Sequence, residues 1–375
     1  MIQRCGQLYL RYERNIDMIN KILNMDDKKI NFCCLFGGQS SEHAVSLVSS
    51  HSVISNTDTS KYNVIKVGIT RDGEWFLYTG ETDKIKSGEW EKDEENKFPA
   101  YIVPGSRLSV VVDGKIEYVK IDVAFPVMHG AYSEDGRMQG LLDMCHVKYV
   151  GPGCAASAVS MDKGFTKQIL TCHDIPQAKA VVATPDDIVN PEAISESIEK
   201  VFGFPVFVKP ANAGSSVGVS KVTCKDELIP ALEKAFREDG KVLIEEFING
   251  KEVEVAVMGN ASPVATIPGE IDPGADFYDY ETKYHTDTAS YYIPARIPSE
   301  AIDKVRELAI TIYKALGCRG LSRIDFFVCP DGRIVFNELN TLPGFTSISM
   351  YPKMFINMGM TYSEIIDNLL TLAME

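Results

Sequence analysis

A chain of 375 residues with 45% apolar and 24% charged side chains has room for two or three globular domains. Its formal charge of −14 argues against nucleic acid or an anionic membrane as partner, since both need a basic face, and no apolar run approaches the ~20 residues that span a bilayer. The nine cysteines show no C-x-x-C spacing, which points to reduced thiols in a cytoplasmic protein.

Residues 1–28 form an extension. Leu8, Tyr12, Ile16, Ile19 and Leu23 recur at helical spacing and predict an added helix; the interspersed Arg and Glu make it a poor signal peptide, and initiation at Met25 is an equal alternative. From Lys29 the chain reads as a buried strand, a turn at Gly37-Gly38 and a helix capped by Ser40 or Ser41. There is no G-x-G-x-x-G. Glu42, in the first turn, either complements the helix dipole or points into a crevice at the strand's carboxyl end. Two strands follow about the turn Arg71-Asp72-Gly73, and the acidic, Lys-rich stretch 86–97 reads as a surface loop without function. Residues 121–145 repeat the plan of strand, polar turn and helix, with His129 at the strand's end, and a domain boundary is expected near Gly153.

An amphipathic helix carrying Lys163 leads to a strand that delivers Lys209. The small, polar loop 211–216, with Ser215 and Ser216, fits a phosphate-covering flap; Gly214 and Gly218 are too close for a Walker A loop. Glu245 and Glu252 bracket Phe247 and Ile248, which form either an adenine slot or an edge strand with solvated acids. The tyrosine-rich, strand-poor stretch 272–293 reads as a packed lid. Two strand-like runs then flank Pro330-Asp331-Gly332. Glu338 and Asn340, two residues apart, project to one face, and pairing as a hairpin brings Asp325 beside them, a donor set suited to a hard cation such as Mg²⁺. A helix over 362–374 closes the chain.

The segments FGGQSSEHAVSL, MHGAYSEDGRMQG, SMDK, FVKPANAGSSVGVSKV, DFYDYETKY, SRIDF and NELNTLPGFTS, in this order, resemble the D-alanine–D-alanine ligases of the ATP-grasp superfamily over nearly the whole chain from Lys29. GITRDGEW and YYIPARI resemble the subgroup that includes the D-alanine–D-serine ligases of vancomycin resistance. The fold this implies is α/β (α+β ATP-grasp): an N-terminal open parallel-sheet domain over 29–153, a central ATP-grasp subdomain over 154–242 and a C-terminal subdomain over 243–375. The implied reaction phosphorylates one D-alanine with ATP and lets the amine of a second displace the phosphate.

By resemblance, Asp325, Glu338 and Asn340 hold two Mg²⁺ ions, with Mn²⁺ as substitute and K⁺ as a further ion. Lys163, Lys209 and Ser216 would hold the phosphates, and Glu245, Phe247 and Glu252 the adenosine. Glu42 would take the first ammonium, with Ser215 and Tyr284 latching the lid across it. Arg323 and the Gly344 N–H would stabilise the oxyanion. His129, Lys283, Ser349 and Met350 would form the acceptor site, where Met350 in place of the subgroup's arginine favours D-alanine. A cytoplasmic homodimer is the implied state. Two departures stand out: Ser133 before the acid of the EDG turn, and Ile348 where the family carries a polar residue. The alternatives are a D-alanine–D-serine ligase and, from other classes, a carboxylation subunit or a non-catalytic ATP-binding regulator.

Overall fold

The computed structural model describes residues 23–189, 191–214, 217–272, 274 and 290–375. The seven-stranded N-terminal sheet has the order β6-β5-β4-β3-β2-β1-β7, formed by β1 (Ile30–Gly37), β2 (Tyr62–Ile69), β3 (Trp75–Tyr78), β4 (Lys97–Val103), β5 (Arg107–Val112), β6 (Lys115–Lys120) and β7 (Val123–Pro126). Only β2, β1 and β7 pair in parallel; β3 to β6 add an antiparallel meander that the parallel-sheet expectation lacked.

β1 is covered on both faces, as an unbroken apolar run requires. Phe32, Cys34 and Phe36 face a core shared with the C-terminal helices Met350–Asn357 and Tyr362–Met374, while Cys33 and Leu35 face the meander and the helix Arg137–Met144. The first of these cores joins the two ends of the chain, since it also takes in Leu321, Leu342 and Phe345.

The stretch 86–97 is not a bare surface loop. Short helical turns there bury Trp90 completely, edge-on to Phe36 and Tyr78.

Four antiparallel strands, β8 (Ala180–Ala183), β9 (Val206–Pro210), β10 (Ser220–Val222) and β11 (Val242–Glu246), form the second sheet in the order β10-β9-β11-β8. The break expected between residues 242 and 243 would cut β11. β11 pairs in the central sheet through Glu246, and Leu170 and Ile175 pack in the C-terminal core.

The third sheet contains β12 (Lys251–Met258), β13 (Val264–Ala265), β14 (Gly269–Asp272), β15 (Ser290–Tyr292), β16 (Leu321–Val328) and β17 (Ile334–Asn340). The expected lid stretch begins and ends in paired strands, Asp272 opposite Ser290. The extension 1–22 and the lid residues 275–289 lie outside the described residues. Among the described residues no helix is long and apolar enough to cross a membrane, and none of the cysteines is in a disulfide.

Candidate active site

A cavity of about 520 Å³ opens where the helix His43–Asn56, the loop after β7, the helix Lys163–Thr171 and the C-terminal sheet meet. Its wall brings together Glu42, His129, Lys163, Arg323, Glu338, Asn340, Gly344, Ser349 and Met350. Lys209, Glu245, Glu252 and Asp325 stand behind or beside that wall, and Phe247 lies half-exposed next to the Phe207 ring. Ser215, Ser216, Lys283 and Tyr284 lie outside the described residues.

Register explains the acidic part of the site. Glu254 on β12 is opposite Asp325 on β16, and Asp325 is opposite Glu338 on β17; opposed residues of antiparallel strands share a face. Arg323, two residues before Asp325, joins that face opposite Asn340. The guanidinium bonds Asp325 twice, Nε to Oδ1 at 2.9 Å and Nη2 to Oδ2 at 2.7 Å, while its Nε also lies 3.2 Å from Glu254 Oε1. Burial alone would weaken its charge, but Asp325 and Glu254 hold it well above the ordinary arginine range. Asn340 donates Nδ2–H to Asp325 Oδ2 at 3.1 Å.

The set fits a divalent cation by charge, with three carboxylates in one row facing one guanidinium. Among the described residues no group of three acid, His or Cys side chains forms a ready-made metal cage, so the amide of Asn340 is needed as a donor. Glu254 was missed in the sequence. Its signal was the alternation Glu252-Val253-Glu254, which puts both acids on one face.

The basic side of the site is built on period two. Val206 and Val208 enter the central core, so Phe207 and Lys209 face the site, where Lys209 Nζ meets Glu245 Oε2 at 2.8 Å. Lys167 Nζ holds the other oxygen of Glu245 at 2.9 Å. Burial by itself would raise the Glu245 carboxyl, but Lys209 and Lys167 outweigh it and bring it down to about 2. Lys209, which burial would depress, is kept above its ordinary value chiefly by Glu245. Lys163 Nζ donates to the Ala213 carbonyl at 2.7 Å, beside the expected flap. Asp162 caps this helix by accepting from the Gly164 and Phe165 N–H groups. Lys167 lines the cavity one helical turn after Lys163, a spacing legible in the sequence but not used.

Glu42 is buried before the helix His43–Asn56. Neither expected serine caps that helix; the Ser40 hydroxyl donates to the His129 carbonyl at 2.6 Å instead. A Cβ on Gly130, at φ +73°, would fall 2.5 Å from Glu42 Oε2, and one on Gly214 would fall 3.1 Å away, so two glycines give this carboxylate its space.

His129 Nδ1 bonds the Leu342 carbonyl at 2.9 Å and Nε2 bonds Ser49 Oγ at 3.0 Å. A carbonyl only accepts, so Nδ1 carries the proton, and burial holds the ring below its usual pKa despite Glu42. Both ring nitrogens are therefore committed to the protein. His129 holds the Leu342 turn through Nδ1 and still lines the cavity.

Glu134, also missed, completes this contact. Its Oε1 accepts the Leu342 N–H at 2.9 Å and its Oε2 the Gly130 N–H at 2.8 Å. Burial, then the charge of Glu42, pushes its carboxyl up to about 8. Ser133 is buried and its carbonyl accepts from Gln139 at 2.7 Å, so the turn closes with serine there.

Leu342 leads to Gly344, where a Cβ would fall 2.8 Å from Ser349 Oγ. Ser349 precedes the helix Met350–Asn357, whose first N–H groups have no intrahelical partner and suit an anion. Met350 is buried at the helix start; Ile348, by contrast, is exposed.

Two family models match the chain, described as D-ala D-ala ligase N-terminus over residues 31–152 and D-ala D-ala ligase C-terminus over 169–371. A D-alanine–D-alanine ligase of Clostridium acetobutylicum is 49% identical over 341 residues, covering 90% of this chain and 96% of the relative. One of Acetivibrio thermocellus is 47% identical over 366 residues, covering 94% and 97%. Among solved structures, the VanG D-Ala:D-Ser ligase of Enterococcus faecalis has a TM-score of 0.84 at 40% identity, covering 92% of this chain and 99% of that one. The D-alanine–D-alanine ligase of Coxiella burnetii has a TM-score of 0.81 at 31% identity, covering 92% and 94%.

Proposed function

This chain belongs to the D-alanine–D-alanine ligase family, and we propose that it joins two D-alanines into D-alanyl-D-alanine for peptidoglycan precursors, with ATP converted to ADP and phosphate. The observation that carries this reading is a single cavity lined by Lys163 and Lys167, by Glu254 and Glu338 of the acidic row, by the Gly344 turn and by the start of the helix Met350–Asn357.

Lys163, Lys167 and Lys209 surround the place for the phosphates, with Glu245 fixing two of them until nucleotide arrives. Asp325, Glu338 and Asn340 would hold the divalent cation, which neutralises charge on the terminal phosphates. Glu42 binds the ammonium of the first D-alanine, whose carboxylate oxygen attacks the γ-phosphorus as the bond to the β–γ bridging oxygen breaks, giving D-alanyl phosphate and ADP. The amine of the second D-alanine then attacks the acyl carbon, the carbon–oxygen bond to phosphate breaks, and the nitrogen gives up its proton. Arg323 and the Gly344 N–H face the developing oxyanion. Ser349 and the helix start at Met350 receive the acceptor's carboxylate. Ser215, Tyr284 and Lys283 complete this reading as closing and acceptor residues, and Ser216, Phe247 and Glu252 as nucleotide residues.

The second reading, a D-alanine–D-serine ligase, is favoured by the likeness to the VanG enzyme. Buried, apolar Met350 at the acceptor end supports D-alanine. Dipeptide analysis from an equimolar D-Ala and D-Ser pool tests the choice: mainly D-Ala-D-Ala is expected, and mainly D-Ala-D-Ser would transfer the reading. A cytoplasmic homodimer, a second metal ion, Mn²⁺ substitution and K⁺ activation belong to the same proposal; sedimentation and metal titration test them.

A further inference from the structure

Arg323 is held from two sides, and the two sides do different work. Asp325 grips it with both oxygens, yet Asp325 is one of the three residues read above as cation ligands. An Asp325 oxygen turned to a divalent cation loses a guanidinium bond, and a buried guanidinium that loses its partner is costly. Glu254 is the other anchor. It is on a different strand, directly opposite Asp325, buried at 3% exposure, and 3.2 Å from Arg323 Nε. Nε, the inner nitrogen of the fork, carries one N–H that now goes to Asp325; a carboxylate that takes it when Asp325 turns away fixes the plane of the guanidinium and leaves Nη1 and Nη2 for other partners.

We propose that Glu254 is a positioning residue that retains Arg323 in the site when Asp325 turns to the cation, so that Nη2 passes from Asp325 to the reacting phosphoryl or acyl oxygen. On this account cation binding and the presentation of Arg323 are coupled: each divalent ion that takes Asp325 also frees the arginine, and Glu254 keeps it from leaving. The inference rests on the cation reading of Asp325, Glu338 and Asn340. It gives Glu254, the third acid of the row, a function that the cation ligands do not supply.

A double-mutant cycle tests it, read by ADP binding as a function of Mg²⁺ concentration in a calorimeter, with no turnover involved. Glu254→Gln in the full-length protein is expected to raise the half-saturating Mg²⁺ concentration about tenfold, because Asp325 is then the one carboxylate in direct contact with Arg323 among the described residues and the guanidinium competes with the ion for it. In an Arg323→Met background the same change is expected to have less than about a twofold effect. Equal shifts in both backgrounds would overturn the proposal, since Glu254 would then act on the ion directly, and so would no shift in either.

Glu254→Asp keeps the charge but shortens the reach. It should give a smaller shift of the same sign and lower kcat more than the KM for ATP; if Glu254→Gln is not recovered folded, the Asp variant in the two backgrounds carries the same decision. Glu338→Gln separates the premise. If ADP binding keeps its Mg²⁺ dependence in that variant, the cation reading fails; if that dependence is lost while the Glu254–Arg323 cycle shows no coupling, only the present inference fails.

Discussion

Glu338 stands directly across the hairpin from Asp325, and one step further the register slips, so that Phe326 faces Phe336 and Asn337 is the extra residue. Without that bulge Phe336 and Glu338, two apart, would share a face; with it, Phe336 pairs with Phe326 and packs into the core while its edge still reaches the cavity wall, and Glu338 stays opposite Asp325. Glu338→Ala should therefore remove a functional oxygen and little packing. Steady-state assays should show kcat lowered about 10³-fold, the several kcal/mol expected of metal-assisted charge stabilisation, with an almost unchanged melting temperature. A variant that melts early but turns over normally would contradict the assignment.

Glu245 separates two part-buried ammonium groups, of which Lys167 also donates to the Ala178 carbonyl. Glu245→Ala removes their shared partner, which should cost about 1–3 kcal/mol in urea unfolding and raise the KM for ATP. In the unaltered protein this carboxyl, held at about 2, contributes stability above pH ~4 that is lost as pH falls toward 2. Urea midpoints of the variant should be flatter across that acid window.

Glu134 works in the opposite direction. Its folded value of about 8 lies above the ~4.3 of an unfolded glutamate, so its contribution is full below about pH 4 and is lost as pH rises through 8. Urea midpoints should fall between pH 5 and 8.5, and less steeply in Glu134→Gln. Because Gln offers one acceptor oxygen to two backbone donors, the Leu342 turn should loosen and kcat drop about tenfold, with the KM for ATP unchanged. An identical pH slope in the variant would contradict this.

Gly269 makes room for Met350. A Cβ there would fall 2.1 Å from Met350 Cε, so Gly269→Ala should push the methionine toward the cavity it lines. The KM of the second D-alanine should rise about tenfold, the cost of a methyl-sized intrusion, with the KM for ATP unaffected. Adding Met350→Ala should restore much of the loss; failure of that rescue would place the effect elsewhere.

Much of the site was legible because strand alternation is local. Glu338 and Asn340 share a face as their spacing requires, and the Asp331-Gly332 turn closes the expected hairpin. What the sequence hid depends on distant packing. Trp90 lies in a run of charged residues, and only the packed positions of Phe36 and Tyr78 reveal that it is core. The Asp113-Gly114 hairpin turn was a readable signal left unused. Glu134 and His129 gain their role from Leu342, more than 200 residues along the chain, a relation no local pattern carries. Glu254 and Lys167 were within reach of simple spacing arguments, and both lie beside residues that were identified.

The most direct test of the account is to incubate the purified protein with Mg²⁺, ATP and D-alanine alone, then quantify dipeptide, ADP and phosphate together. Equal amounts of D-alanyl-D-alanine, ADP and phosphate are expected, with none formed when Mg²⁺ is omitted. ADP and phosphate without dipeptide, or dipeptide formed only after D-serine is added, would contradict the D-alanine–D-alanine assignment.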